Sequence, residues 1–94
     1  MNKLVLQAEV VQVEPLRYTP AGIPLLSVVL RHVSDQVEAG MKRKVECEVN
    51  AVVIGDLALK GLKTGAQIIA QGFLARRSLK STQLVMHINE IKSM

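Results

Sequence analysis

Met41-Lys42-Arg43-Lys44-Val45-Glu46-Cys47-Glu48-Val49-Asn50-Ala51-Val52-Val53 is the most regular stretch of the chain. Val45, Cys47, Val49 and Ala51 alternate there with Lys44, Glu46, Glu48 and Asn50. Successive side chains of an extended backbone point to opposite faces, so this period of two predicts a strand with one face on a core and the other in water. Working outward, Ser34 to Gly40 reads as a polar connection that ends in glycine, and Leu25 to Val33 as a preceding strand, apolar on both faces until Arg31 and His32. Leu4 to Val13 is a further strand in which Leu4, Leu6, Ala8 and Val10 share one face. Val11 and Val13 then take up the opposite phase, a slip that predicts a bulge or a strong bend. Three prolines and a glycine between Glu14 and Pro24 mark an ordered loop.

Towards the C-terminus, Gly55 to Gly65 carries glycines at both ends and helix formers between, which predicts a helix of about two turns or an irregular crossing. Ala66 to Ala75 is a fourth strand, and Gly72 within it marks a sharp bend of the kind barrels need. Arg76-Arg77-Ser78-Leu79-Lys80-Ser81-Thr82 forms a basic hairpin tip, and Gln83 to Ile91 a fifth strand with Leu84, Met86 and Ile88 on one face. Five strands, one helical piece between the third and fourth, and no room for strand–helix–strand crossovers predict an all-β, small closed barrel, one domain over residues 1–94.

Composition narrows the function. A chain of 94 residues buries roughly 60–65% of its unfolded surface and holds a single core. Apolar residues make up 49% of it, yet Tyr18 and Phe73 are the only aromatics, so aliphatic side chains must fill the interior. So much aliphatic surface on so small a domain predicts association, and a dimer is expected. Met1-Asn2-Lys3-Leu4 lacks the order of a secretory signal, and a cytoplasmic location without membrane contact is expected. Cys47 stands alone with no Cys/His ligand set around it, which argues against a disulfide, a zinc site or any cofactor and reads as a small core thiol. His32 and His87 lie in separate strands with no carboxylate or nucleophile beside them, so no catalytic group can be assembled and the chain reads as a binding protein.

The charge is unevenly placed. Residues 1–40 carry three basic against four acidic side chains, a net of −1, whereas residues 41–94 carry nine against four, a net of +5. The basic half should seek a polyanion. Its clusters, Lys42-Arg43-Lys44 and Arg76, Arg77 and Lys80, fall at hairpin ends, where cationic side chains can track a phosphate backbone along a groove. Arg17 and Tyr18 of the first loop join them as candidate contacts, Tyr18 as the surface ring.

Leu16-Arg17-Tyr18-Thr19-Pro20-Ala21-Gly22-Ile23-Pro24, followed by Leu25-Leu26-Ser27-Val28-Val29-Leu30, resembles the first hairpin loop and second strand of bacterial single-stranded-DNA-binding proteins. With Glu38-Ala39-Gly40, Cys47, Gln71-Gly72-Phe73-Leu74 and Val85-Met86-His87 added, the chain is similar to the primosomal replication protein N (PriB-type) family from about Asn2 to Ile91. The resemblance implies a five-stranded OB-fold homodimer that binds single-stranded DNA and helps the restart helicase and other primosome proteins reload replication. It also implies DNA contacts at Arg76, Arg77 and Lys80, and pairing of first strands across the dimer through Leu4, Val5, Leu6, Ala8 and Val10. Where the family has aromatics near the start and middle of the third strand, this chain has Met41 and Glu46, which implies less base stacking there. The residues alone leave two alternatives open: an RNA-binding OB domain of translation and a protein-docking adaptor.

Overall fold

Aliphatic residues at alternate positions build six strands and one helical turn in the computed structural model, which describes all 94 residues. In chain order these are β1 (Leu4–Val13), β2 (Arg17–Tyr18), β3 (Pro24–Glu38), β4 (Met41–Ile54), α1 (Asp56–Leu59), β5 (Gln67–Arg76) and β6 (Leu84–Ser93). β1 closes the sheet by pairing with β5 along Leu4 to Glu9 and with β3 along Glu9 to Val13. It changes partner at the predicted slip, where the register shifts between Val10 and Gln12. The extra residue bends the strand and lets it serve two neighbours. The remaining order, β5-β6-β4-β3, completes a five-stranded barrel, with the two-residue β2 added at the edge of β3. β4 and β6 are parallel, Ala51 facing Met86 and Val53 facing Ile88.

Every fully buried large side chain is aliphatic or Met: Leu30, Met86, Val10 and Val53. The aromatics stay outside, as the composition requires. α1 is a single turn rather than two, and Ala58 with Leu57 and Leu62 packs against the barrel core. The flanking glycines leave only a short run to propagate a helix, so tertiary packing holds this turn in place.

Two sequence expectations change. Ser34 to Glu38 is not a loop: β3 and β4 stay paired to Glu38 and Met41 around a two-residue turn at Ala39 and Gly40, both with positive φ. Such turns match the twist of a hairpin. Beyond the barrel both faces of this ribbon meet water, so its polar residues carry no mark of a buried face. Cys47 is exposed, because it lies on this projecting part of β4, opposite His32. It is not a core thiol. No helix is long and apolar enough to cross a membrane.

Candidate nucleic-acid interface

Outward-facing side chains of β3, β4 and β6 form the floor of an open cleft of about 710 Å³. Ser27 and Val29 come from β3, Asn50 and Val52 from β4, and Val85 and His87 from β6. These residues are small or flat, which leaves a shallow trough rather than a closed pocket. Arg17 and Arg77 stand at its two ends. β2 places Arg17 opposite Leu25, which itself pairs with Ile54, at one end of the floor. The other end is set by the parallel pairing of β4 with β6, which puts the β5–β6 connection, and Arg77 with it, beside the start of the floor near Asn50. Four residues of extended strand separate Asn50 from Ile54, about 13 Å. Glu14 shares the rim with Arg17 and tempers the positive field there.

The parallel register also orients the two hairpins. The β5–β6 connection and the β3–β4 ribbon leave the barrel from the same end, because both lie towards the beginning of β4. Their cationic residues do not act alike. Arg76 ends β5 and Arg77 lies in the bend that follows it; Arg77 lines the cleft, whereas Arg76 is exposed and does not. Lys80 is exposed at the tip. In the ribbon, Lys42 and Lys44 share the outward face with Asn50, while Arg43 faces the other way and bonds the Glu38 carboxylate at 2.9 Å. Between Lys44 and the cleft the same face carries Glu46 and Glu48. Arg31 is paired with Glu46 and offsets one of those carboxylates. The continuous cationic track that the sequence suggested is therefore interrupted, and the cleft arginines form its better-defined part.

Tyr18 is 60% exposed beside Arg17. A second ring surface was not legible in the sequence: Phe73 and His87 face each other across β5 and β6, with centroids 4.9 Å apart and planes inclined by 12°. His87 belongs to the cleft floor. The only sequence signal was parity, since Phe73 and Ala75 alternate outward along β5.

Along β1, Ala8 and Val10 are buried in the barrel, Leu4 and Leu6 are half-buried against it, and Val5 is the one exposed aliphatic side chain, at 55%. Val10 pairs with Leu30, so it does not lie on a free edge. From Leu4 to Ala8 the strand has β5 on one side and no strand of this chain on the other. That edge is partly occupied where His32 Nδ1 donates to the Gln7 carbonyl at 2.6 Å. No group of three or more His, Cys, Asp or Glu side chains is arranged to hold a metal ion.

A family model described as another single-strand binding protein family matches residues 2–90. The chain is 42% identical over 94 residues to the replication restart protein PriB of Bordetella pertussis, covering 98% of this chain and 88% of that protein. The solved structure of the protein priB from Ralstonia solanacearum superposes with a TM-score of 0.87 at 33% identity, over 100% of this chain and 99% of that one. The wild-type single-stranded DNA binding protein from Thermus aquaticus shares the fold, with a TM-score of 0.77 at 21% identity over 100% of this chain and 50% of that one. Matched along nearly its whole length by the family model and by PriB proteins in both sequence and fold, the chain belongs to the PriB family of replication restart proteins.

Proposed function

We propose that this chain is a non-catalytic accessory protein of replication restart, which works in the cytoplasm as a homodimer. It holds single-stranded DNA along the β3–β4–β6 face and supports the restart helicase in reloading the replication machinery. The observation that carries this reading is the cleft with an arginine at each end. Its floor offers flat apolar and amide surface to bases, and its ends offer guanidinium groups to phosphates. Arg77 and Arg17 make the principal phosphate contacts, Lys80 and the ribbon lysines Lys42 and Lys44 add weaker ones, and Arg43 and Arg76 contribute through the general positive field. The backbone edge from Leu4 to Ala8, which no strand of this chain covers and which His32 occupies only at Gln7, supplies the dimer contact by strand pairing, with Val5 projecting beside it.

Fluorescence anisotropy with labelled oligo-dT of graded length, at about 50 and 200 mM salt, tests this reading. Each neutralised phosphate adds roughly 0.7 to the slope of log affinity against log salt. A handful of contacts therefore gives a steep loss of binding between the two conditions. A clear preference for matched RNA in competition, or affinity indifferent to salt, would redirect the assignment to an RNA-binding domain or a protein adaptor respectively. Sedimentation of the free protein at micromolar concentration tests the dimer, for which a monomer throughout is the contrary result.

A further inference from the structure

The stacked rings of Phe73 and His87 have no part in the core, and Phe73 keeps 38% of its surface in water. An exposed phenyl ring gains little for folding where it stands, and this chain has only two aromatic residues to place. The pair is held firmly. β5 and β6 are paired on both sides of it, Gly72 with Ile88 and Leu74 with Met86, so the register of the sheet holds the two residues side by side. With planes inclined by only 12° the rings stack on each other, which leaves each ring one face that its partner does not cover and on which a further flat group can extend the stack. His87 joins that surface to the cleft floor, and the outward row Phe73, Ala75, Arg77 leads from the ring to the arginine at the cleft end past a side chain too small to obstruct a base.

We infer that the Phe73–His87 pair is a stacking platform for an unpaired nucleobase, extending the cleft sideways onto β5 and β6. This rests on the proposed single-stranded-DNA binding and specifies where a base is held. Every base has a π face, so a ring already fixed in the sheet accepts any of them at low entropic cost, and it does so without reading sequence. The platform supplies the stacking surface that Met41 and Glu46 do not. It lies on different strands, β5 and β6 rather than β4.

The chain contains no tryptophan, so Phe73→Trp installs a single reporter at the platform. Titration with oligo-dT should quench its emission, and Phe73→Leu, which keeps an apolar side chain but removes the ring, should bind about 5- to 150-fold more weakly. The salt slope of Phe73→Leu should match that of the wild type, because no phosphate contact is lost, and Phe73→Tyr should restore affinity. If the wild type binds oligo-dT while Phe73→Leu binds equally well and the indole emission of Phe73→Trp is unmoved, the platform is refuted and the cleft reading stands. Emission that responds to protein concentration but not to DNA assigns the rings to contact between copies and also overturns the inference. A wild-type protein that ignores oligo-dT at low salt overturns both readings together.

Discussion

Gly72 lies directly against the backbone of His87, so closely that a Cβ at this position would overlap the His87 carbonyl oxygen and touch Ile88 Cα. The register of β5 on β6 shifts between Gln71 and Gly72, and this close approach is how the shift is accommodated. One missing side chain thus lets β5 bend over β6 and brings Phe73 opposite His87.

The prediction for Gly72→Ala follows. The clash is with the main chain of β6 at His87 and Ile88, which has no rotamer to escape into, so the strands must separate or slip. A destabilisation of about 3 kcal/mol is expected, a fall of ~12–24 °C in the melting midpoint of a domain this size. Thermal unfolding followed by circular dichroism reads it directly. A change below a few degrees would mean that β5 and β6 slide apart freely and that the bend does not hold the barrel closed.

Arg76 and Arg77 separate two accounts of the basic hairpin. If overall charge were all that mattered, removing either would have the same effect. Because only Arg77 lines the cleft, Arg77→Ala should lower oligo-dT affinity several-fold and reduce the salt slope by ~0.7, whereas Arg76→Ala should change both much less. Arg17→Ala should behave like Arg77→Ala, at the opposite end of the floor. Equal effects at Arg76 and Arg77, measured by anisotropy across a salt series, would replace the cleft by a diffuse positive surface.

What the residues disclosed in advance depended on burial. Val49 to Val53, Leu4 to Val13 and Leu84 to Ile88 announced themselves as strands because the barrel core covers one face of each, and alternation is the signature of that asymmetry. The bulge after Val10 and the bend at Gly72 were legible for the same reason: each interrupts a pattern that is otherwise strict. The outer part of β3 was not legible, since Asp35, Gln36 and Glu38 meet water whichever conformation they take. Nor was the cleft. Arg17 and Arg77 stand far apart in the chain and meet one trough only through the parallel pairing of β4 with β6, and the bend that follows β5, not proximity in sequence, separates Arg77, which enters it, from Arg76, which does not.

Cys47 offers a direct check on where the barrel ends. A thiol on the solvated ribbon should react fully and quickly with Ellman's reagent in native buffer, one per chain, with no gain on adding denaturant. Modification should leave the melting midpoint within about 1 °C, since surface changes away from the core are small. A thiol that reacts only as the protein unfolds would return Cys47 to the interior and shorten the projecting ribbon.

The turn at the end of that ribbon tests whether it unfolds with the barrel or alone. Ala39 adopts φ 52, a left-handed conformation that costs an L-residue about 1–2 kcal/mol, and Asn tolerates it better than Ala. Ala39→Asn should therefore favour the closed hairpin, and Gly40→Ala, at φ 78, should oppose it. From Lys42 to Glu48, however, β4 has only β3 as a partner, so this segment can open without disturbing the core. The gain should appear as slower amide exchange for Lys42 to Glu46 in Ala39→Asn, with the global melting midpoint nearly unchanged. A midpoint that rises together with the protection would show that ribbon and barrel form one cooperative unit, and that Lys42 and Lys44 are held as rigidly as the arginines of the cleft.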